Sequence, residues 1–211
     1  MFQMDDDLKG SEVRLWHLIE QRTLPGADKE RIDERIWDLF GEEWAVMFTD
    51  LAGFSRNVEA FGIIHFLQVI LEQKKLLLPI VAAHDGILIK VEADSFLLLF
   101  KRPARALACA IAMQHACERA NVTRPPEEKI LLCLGIGFGR ILRIGDQDVW
   151  GREVNAASKL GEDTARAGEI LITSSVRDAL GEETRGLDFQ DLEEKIPGSA
   201  RNFRVSYPPA S

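Results

Sequence analysis

The chain has 211 residues, of which 46% are hydrophobic and 28% are charged, and its formal net charge is −8. This composition is typical of one soluble globular domain with an extension. The negative charge disfavours nucleic acid as a partner, because duplex phosphates would be repelled over most of the surface. Apolar runs stay short of the roughly 20 residues that a spanning helix requires, and the three cysteines lack a C-x-x-C spacing. We therefore expect a cytoplasmic protein with no membrane span.

The N-terminal part of the chain predicts two amphipathic helices, one over residues 11–21 and one that follows Asp28 and closes at Gly41. We assign residues 1–43 to an N-terminal helical extension and residues 44–211 to the main domain. The helical periodicity leaves open whether the extension is a dimer contact, a lid or a packing element.

The main domain opens with an apolar run that predicts a buried strand, which delivers Asp50 to its C-terminal end and turns at Gly53 into a helix. Asp50 is either a cap of that helix or a charge aimed at a ligand. Gly53 lets the backbone approach a ligand closely, and the N–H groups that open the helix suit phosphate oxygens. Gly53 and Phe54 are therefore candidate substrate-binding residues.

A long helix is predicted next, from Ser55 to about His84. Its predicted inner face consists of Val58, Phe61, Ile64, Phe66, Leu67, Ile70 and Leu71. Two strands follow, over 87–91 and 95–100, and the acidic turn between them carries Asp94. Taken alone, Asp94 is explained slightly better by a hairpin turn than by a ligand.

The rest of the chain alternates between helices and strands. In order, we predict a helix over 103–121, a strand over 129–138, its hairpin partner over 139–144, a turn at Gly145 and Asp146, a helix over 151–165, a strand over 169–173, a short helix to Leu180, and strands near 187–192 and 202–207. His115 is predicted to be a hydrogen-bonded histidine at the edge of the core. The order of elements predicts an α+β fold, a ferredoxin-like mixed sheet with helices packed on one face.

Two carboxylates, Asp50 and Asp94, each lie where an apolar strand meets a turn. A ferredoxin-like order would make their strands neighbours, so the two side chains would face one another across the end of the sheet. Their mutual repulsion would then drive one of them to take up a proton. A pair of Mg²⁺ ions would remove that penalty and create a site for triphosphate chemistry.

Five segments, in order, resemble motifs of the class III adenylyl and guanylyl cyclase catalytic domain. They are FTDLAGFS at 48–55, KVEAD at 90–94, GIGFG at 135–139, DVWG at 148–151 followed by VNAASKL at 154–160, and GEILIT at 168–173. The resemblance covers roughly residues 44–180. A combination of five weak motifs in the right order is far more specific than any one of them.

The resemblance implies that Asp50, Asp94 and the backbone carbonyl of Leu51 hold two Mg²⁺ or Mn²⁺ ions, which bind the triphosphate and activate the ribose 3′-hydroxyl. The hydroxyl would attack the α-phosphorus and expel pyrophosphate. Lys90 and Asp148 would read the purine, the ammonium donating to adenine N1 and the carboxylate accepting from the N6 amine. Guanine presents the reverse pattern, so this pair favours ATP. Without the resemblance, Lys90 is a solvated lysine and Asp148 a turn residue.

By the same resemblance, Asn155 orients the ribose, and Lys159 stabilises charge on the phosphates from a position where the family has arginine. Because lysine lacks the bidentate guanidinium fork, we expect slower turnover. Other departures from the family pattern are Ala93 in place of a glycine, Gly137 in place of a histidine, and a shorter segment at residues 140–147.

In these cyclases the site lies between two subunits, one supplying the metal aspartates and the other the remaining groups. A chain with the full set implies a head-to-tail homodimer with two sites. Three functions stay open: a cyclase that makes cyclic AMP from ATP, a cyclase for GTP or a pyrimidine triphosphate, and a cyclase-homology module that binds nucleotide or only dimerises. A diguanylate cyclase is less favoured, since the sequence has no Gly-Gly-Asp-Glu-Phe run.

Overall fold

The computed structural model describes residues 11–53, 59–181 and 185–209. The helices are α1 Glu12–Thr23, α2 Lys29–Phe40, α3 Ile63–Ala83, α4 Pro103–Asn121, α5 Arg152–Ser158 and α6 Ser174–Leu180, with a 3-10 turn at Pro126–Glu128 and a π-helical turn at Lys159–Thr164. The strands are β1 Gly41–Leu51, β2 Ile87–Glu92, β3 Ser95–Phe100, β4 Leu132–Ile144, β5 Asp148–Trp150, β6 Ile170–Thr173, β7 Asp188–Asp191 and β8 Asn202–Ser206. None of the helices in these ranges is long and apolar enough to cross a membrane.

The strands form one mixed sheet in the order β2-β3-β1-β4-β6-β8-β7, with β5 paired to the far end of β4. The pairing of β4 with β6 is parallel and the other pairings are antiparallel. In β1, Ala45, Val46 and Met47 are fully buried, because strands flank β1 on both edges and helices cover both of its faces. The predicted α+β fold with a mixed sheet is confirmed.

Strands β1 and β3 are direct neighbours, as the ferredoxin-like order required. Thr49 lies opposite Phe96 in the register, and the Phe96 amide donates to the Thr49 hydroxyl at 3.0 Å. Asp50 follows this pair on β1, and Asp94 precedes β3. The pairing therefore brings the two carboxylates to the same end of the sheet.

Helices cover both faces of the sheet, so the expectation of one covered face was wrong. Alternate residues of β1 point to opposite sides: Met47 packs in the cluster that includes α3 and α4, whereas Val46 packs against Ala157 of α5. This second layer approaches the sheet closely. A Cβ atom on Gly135 would lie 2.2 Å from the Ala157 carbonyl oxygen and 2.3 Å from the Gly161 nitrogen. Glycine at position 135 is therefore what allows α5 and the π-helical turn to pack there.

The predicted inner face of α3 was only partly right. Phe66 and Ile70 are buried, and the buried face continues through Val69, Gln73, Leu77 and Val81. Of the other residues predicted for this face, Phe61, Ile64, Leu67 and Leu71 are at least half exposed, and Val58 lies outside the described residues. Apolar residues occur around most of this helix, so its periodicity did not identify the face that meets the sheet.

Strand β4 is continuous over Leu132–Ile144, whereas the sequence predicted a break at residue 139. The reason is the length of β1, which pairs with β4 from Gly41 opposite Leu142 to Leu51 opposite Leu132. The predicted turn at Gly145 and Asp146 is present, with Gly145 at φ +55, and β5 is the hairpin partner.

The N-terminal extension is a helical hairpin packed on the end of β4. Arg22 of α1 donates two hydrogen bonds to Asp33 of α2, at 2.5 and 2.9 Å. The apolar faces of both helices pack on Ile144, the last residue of the strand, in a cluster of Leu15, Leu18, Ile36, Phe40 and Ile144. In this chain the extension therefore acts as a packing element.

Candidate active site

The turn between β2 and β3 holds Asp94 in a buried position. Asp94 is 6% exposed, and its backbone carbonyl accepts a hydrogen bond from the buried Gln73 side chain at 2.9 Å. Ala93 precedes it in the left-handed region, at φ +51. On the neighbouring strand, the half-buried Asp50 accepts a hydrogen bond from the Ser95 hydroxyl at 3.2 Å. Gln73 thus holds the backbone at Asp94, and Ser95 holds the carboxylate of Asp50.

The environment of the two carboxylates disfavours their negative charge. Burial, and then the charge of Asp94, raise the pKa of Asp50 from 3.8 to about 6. Burial also raises the pKa of Asp94, although backbone amides and Asp50 oppose this shift. One oxygen of Asp94, Oδ2, is buried and has no hydrogen-bond partner among the described residues. A buried, unpartnered carboxylate oxygen beside a second carboxylate fits a divalent cation.

The donor set also suits a particular kind of metal site. The part of the chain that the structure describes holds no group of three or more His, Cys, Asp or Glu side chains that could enclose a metal ion. Mg²⁺ is commonly held by one or two carboxylates while waters and substrate phosphates complete its coordination. Asp50 and Asp94, with the backbone carbonyl of Leu51 next to Asp50 in the chain, therefore fit a metal ion that binds together with a phosphorylated substrate.

The raised pKa of Asp50 predicts how the metal-free protein responds to pH. The folded state holds the Asp50 proton more tightly than the unfolded chain, so the stabilisation is fully present below pH 4 and is lost as the pH rises through about 6. Asp50→Asn removes this titration. In EDTA, we subtract the melting temperature of the unaltered chain from that of the variant. We expect this difference to increase from pH 4 to pH 7. An unchanged difference across this range would contradict the assignment.

A second polar pair lies on the other side of the β2–β3 turn. Lys90 Nζ is 2.6 Å from Asp148 Oδ2 and 4.0 Å from Glu92 Oε1. The Lys90 and Asp148 side chains are 35% and 29% exposed. The hydrogen bond with Asp148, above all, raises the pKa of Lys90. Two residues that lie 58 positions apart in the chain thus form one ion pair, accessible from solvent.

This ion pair lines an open pocket of about 230 Å³. The lining residues are Phe48, Lys90, Glu92, Ser95, Leu97, Asp148, Val149, Trp150, Val154, Asn155 and Glu162. The lining mixes apolar side chains, among them the half-exposed Trp150, with the polar groups of Lys90, Asp148 and Asn155. A pocket with apolar and aromatic walls and a few polar groups suits a planar heterocycle.

The structure brings Asn155 to this pocket but does not bring Lys159 there. Lys159 is 53% exposed and binds Asp163 at 2.5 Å, one turn further along the chain. Gly53 follows β1 with φ +88, a conformation that favours glycine. Phe54, the other candidate substrate-binding residue, lies outside the described residues. His115 donates a hydrogen bond from Nε2 to the Pro208 carbonyl at 2.8 Å, as expected for a core-edge histidine.

A buried glutamate that the sequence analysis missed, Glu153, anchors α5, the helix that carries Asn155. Glu153 is 4% exposed and accepts hydrogen bonds from the Thr173 hydroxyl at 2.9 Å, the Ser175 hydroxyl at 3.1 Å and the Phe138 amide at 3.2 Å. A Cβ atom on Gly137 would lie 2.4 Å from the Glu153 carbonyl oxygen. The glycine that replaces the family's histidine therefore makes room for Glu153. The glycine at position 137 was the signal available in the sequence, but the sequence did not indicate that Glu153 would fill the space it leaves.

The positive φ of Ala93 predicts a stabilising substitution. A non-glycine residue in the left-handed region costs about 1–2 kcal/mol, part of which is offset because glycine loses more entropy on folding. We expect Ala93→Gly to raise the free energy of unfolding by about 0.5–1 kcal/mol, measured by urea denaturation. Asp85, at φ +58, is the matched control, because aspartate tolerates this region better. An equal gain for Asp85→Gly would contradict the argument.

Residues 41–202 match the family described as the adenylate and guanylate cyclase catalytic domain. The chain belongs to this family, and the resemblance to class III cyclases is confirmed. Among similar solved structures, the adenylate/guanylate cyclase/hydrolase of Silicibacter pomeroyi is 27% identical with a TM-score of 0.67, over 78% of this chain and 95% of that one. The adenylyl cyclase CyaB of P. aeruginosa is 21% identical with a TM-score of 0.66, over 80% and 95%. The second likeness supports the fold alone.

Two curated relatives contain a matching segment within a longer chain. A protein of Rhizobium meliloti named "Putative adenylate cyclase 3" is 30% identical over 147 residues, which make up 70% of this chain and 24% of the relative. The serine/threonine-protein kinase pkn2 of Myxococcus xanthus is 30% identical over 131 residues, 62% of this chain and 16% of the kinase. This chain thus spans less than a quarter of the length of either relative.

Proposed function

We propose that this cyclase-family chain is an adenylate cyclase, which converts ATP to 3′,5′-cyclic AMP and pyrophosphate. The observation that carries the proposal is that one chain holds both a coupled carboxylate pair, Asp50 and Asp94, and a pocket lined by the ion pair of Lys90 and Asp148. The carboxylates suit metal-bound phosphates, and the ion pair offers one donor and one acceptor to a base. The name of the Rhizobium meliloti relative agrees with ATP as the substrate.

The reaction requires positioning and charge neutralisation more than a dedicated base. Two Mg²⁺ or Mn²⁺ ions at Asp50, Asp94 and the Leu51 carbonyl would neutralise the triphosphate and lower the pKa of the ribose 3′-hydroxyl. The 3′-oxygen bonds to the α-phosphorus as the bond to the bridging oxygen of pyrophosphate breaks, and the hydroxyl proton passes to solvent. Ser95 holds Asp50 in place for this role through its 3.2 Å hydrogen bond.

The remaining groups orient the nucleotide. Backbone N–H groups at Gly53 and Phe54 would bind phosphate oxygens, and Asn155, at the pocket wall, would orient the ribose. Lys159 would offset charge on the phosphates once it leaves Asp163. Because both partners are more than half exposed, solvent screens the attraction between them, and the exchange costs little.

Lys90 and Asp148 give the pocket its preference for adenine. The ammonium would donate to adenine N1 and the Asp148 carboxylate would accept from the N6 amine, so each keeps a polar partner when the base separates them. Guanine, with an N1–H donor and an O6 acceptor, would place a donor against the ammonium and an acceptor against the carboxylate.

We further propose a head-to-tail homodimer, in which one subunit supplies the metal carboxylates and the other supplies the base pocket. Its support is an exposed apolar stripe of Ile64, Leu67 and Leu71 on the first turns of α3, with the exposed Phe61 just before the helix and the half-exposed Trp150 at the pocket. An apolar surface of this kind is typical of a contact with another protein. If the site is shared, specific activity should fall on dilution below the dissociation constant of the dimer.

A GTP cyclase is the second candidate, and Glu92 is the observation in its favour. Glu92 lies two residues from Lys90 on β2, on the same face, and both line the pocket. Its carboxylate could accept from the N1–H and N2 amine of guanine while Lys90 donates to O6. Asp148 would then be left without a base contact, which makes ATP the better fit.

The proposal is tested by incubating the purified chain with ATP, GTP, CTP or UTP and Mn²⁺, and by measuring cyclic nucleotide and pyrophosphate. We expect cyclic AMP and pyrophosphate in equal amounts from ATP. Turnover of GTP or a pyrimidine nucleotide alone would retain the metal site and overturn the assignment of Lys90 and Asp148. No product from any of the four, with nucleotide still bound, would favour a module that binds nucleotide without cyclising it.

A further inference from the structure

The hairpin of α1 and α2 contacts β4, the strand that pairs with β5 and therefore with the proposed base-reading aspartate. Ile144, the last residue of β4, is 1% exposed and packs in the cluster with Leu15, Leu18, Ile36 and Phe40. In the register of β4 and β5, Ile144 is the direct partner of Asp148. The N-terminal helices therefore pack on the β4 residue that is paired with Asp148.

The β4–β5 turn is also fixed by polar contacts of Arg143, the residue before Ile144. Arg143 donates to the Gly145 carbonyl at 3.0 Å and to the Asp146 carboxylate at 2.7 Å, and it stacks on Trp44 at 4.8 Å from the ring centroid. These contacts hold the turn itself, but β5 has only three residues. A strand this short depends on packing beneath it to keep one position.

The charge at the start of the first helix also affects Lys90, the other member of the proposed base-reading pair. The pKa of Lys90 is raised by its hydrogen bond to Asp148 first, then by charges that include Glu12 at the start of α1. The family match begins at residue 41, so α1 and α2 lie outside the segment that it covers. The two helices therefore lie outside the matched segment and pack on the strand that pairs with β5.

We propose that the α1–α2 hairpin is a positioning element for the nucleobase pocket, in which Leu18 and its neighbours hold Asp148 in reading position through Ile144. This inference depends on the proposed role of Asp148. It assigns to residues 12–40 a part in nucleotide selection.

The test is Leu18→Ala, which shortens a side chain that is 1% exposed. We expect the KM for ATP to rise about tenfold and the preference for ATP over GTP to fall, with kcat little changed, because the base loses its contact while the metal carboxylates stay in place. Leu180→Ala is the matched control: Leu180 of α6 is 3% exposed and packs in the main core cluster. It should lower stability without changing the ATP preference.

A readout independent of activity is hydrogen exchange at the backbone amides of β5 in the nucleotide-free protein. Leu18→Ala should accelerate this exchange, and Leu180→Ala should leave it at the rate of the unaltered chain. Equal β5 exchange in the two variants would overturn the inference, whether or not the protein proves to be a cyclase. If Leu18→Ala does not fold, the milder Ile36→Val should give the same result to a smaller degree.

Discussion

Asp50→Asn is expected to abolish cyclase activity, with a loss on the order of 1,000-fold, while the metal-free fold becomes more stable at neutral pH. Asparagine has nearly the same shape but no charge to offer a divalent cation, so the contribution of metal ions to the transition state is lost. The same change removes a half-buried charge that lies beside Asp94. Activity and stability should therefore move in opposite directions, which ordinary damage to a fold does not produce.

The measurement combines product formation from ATP with a thermal melt, each with and without Mn²⁺. In the unaltered chain, Mn²⁺ should raise the melting temperature at pH 7, because it binds the folded state. In Asp50→Asn this rise should be largely lost. Asp85→Asn is the control, since Asp85 lies in an exposed turn before β2. A variant that stays active and is still stabilised by Mn²⁺ would show that Asp50 is a structural carboxylate only.

The position of the carboxylate pair could be predicted because it depends on strong local signals. A continuous apolar run predicts a strand buried on both faces, and Asp50 is placed at its end. The short acidic turn between two further runs predicts a hairpin, which places Asp94 at its tip. Their meeting then requires only that β1 and β3 pair, which the order of elements favours and the structure confirms.

Other features depend on contacts that a single sequence does not specify. The buried face of α3 is chosen by the sheet beneath it, because apolar residues lie around most of the helix. The length of β4 is set by the eleven residues of β1 that pair with it. Glu153 sits in the first turn of a helix, where a charged residue usually faces water, and its burial depends on hydroxyls from β6 and α6. That Lys90 and Asp148 belong to one site was predicted from the family resemblance and not from their spacing in the sequence.

Lys90→Met is expected to lower kcat/KM for ATP by about 10–100-fold and to reduce the preference for ATP over GTP. Loss of one hydrogen bond from a charged donor costs about 1.5–3 kcal/mol. In the ligand-free chain the Lys90–Asp148 pair is partly exposed, so its own strength is about 1 kcal/mol or less and adenine can replace it at little cost. Methionine keeps the length of the side chain but removes both the donor to adenine and the charge that opposes the guanine N1–H.

The control for this prediction is Lys195→Met, because Lys195 is exposed in the connection between β7 and β8, away from the pocket residues. It should match the unaltered chain with both nucleotides. An equal fall in ATP and GTP turnover in Lys90→Met would mean that Lys90 contacts a part of the nucleotide that the two substrates share, such as the phosphates. A change confined to ATP would mean that Lys90 contacts the base, since ATP and GTP differ there and nowhere else.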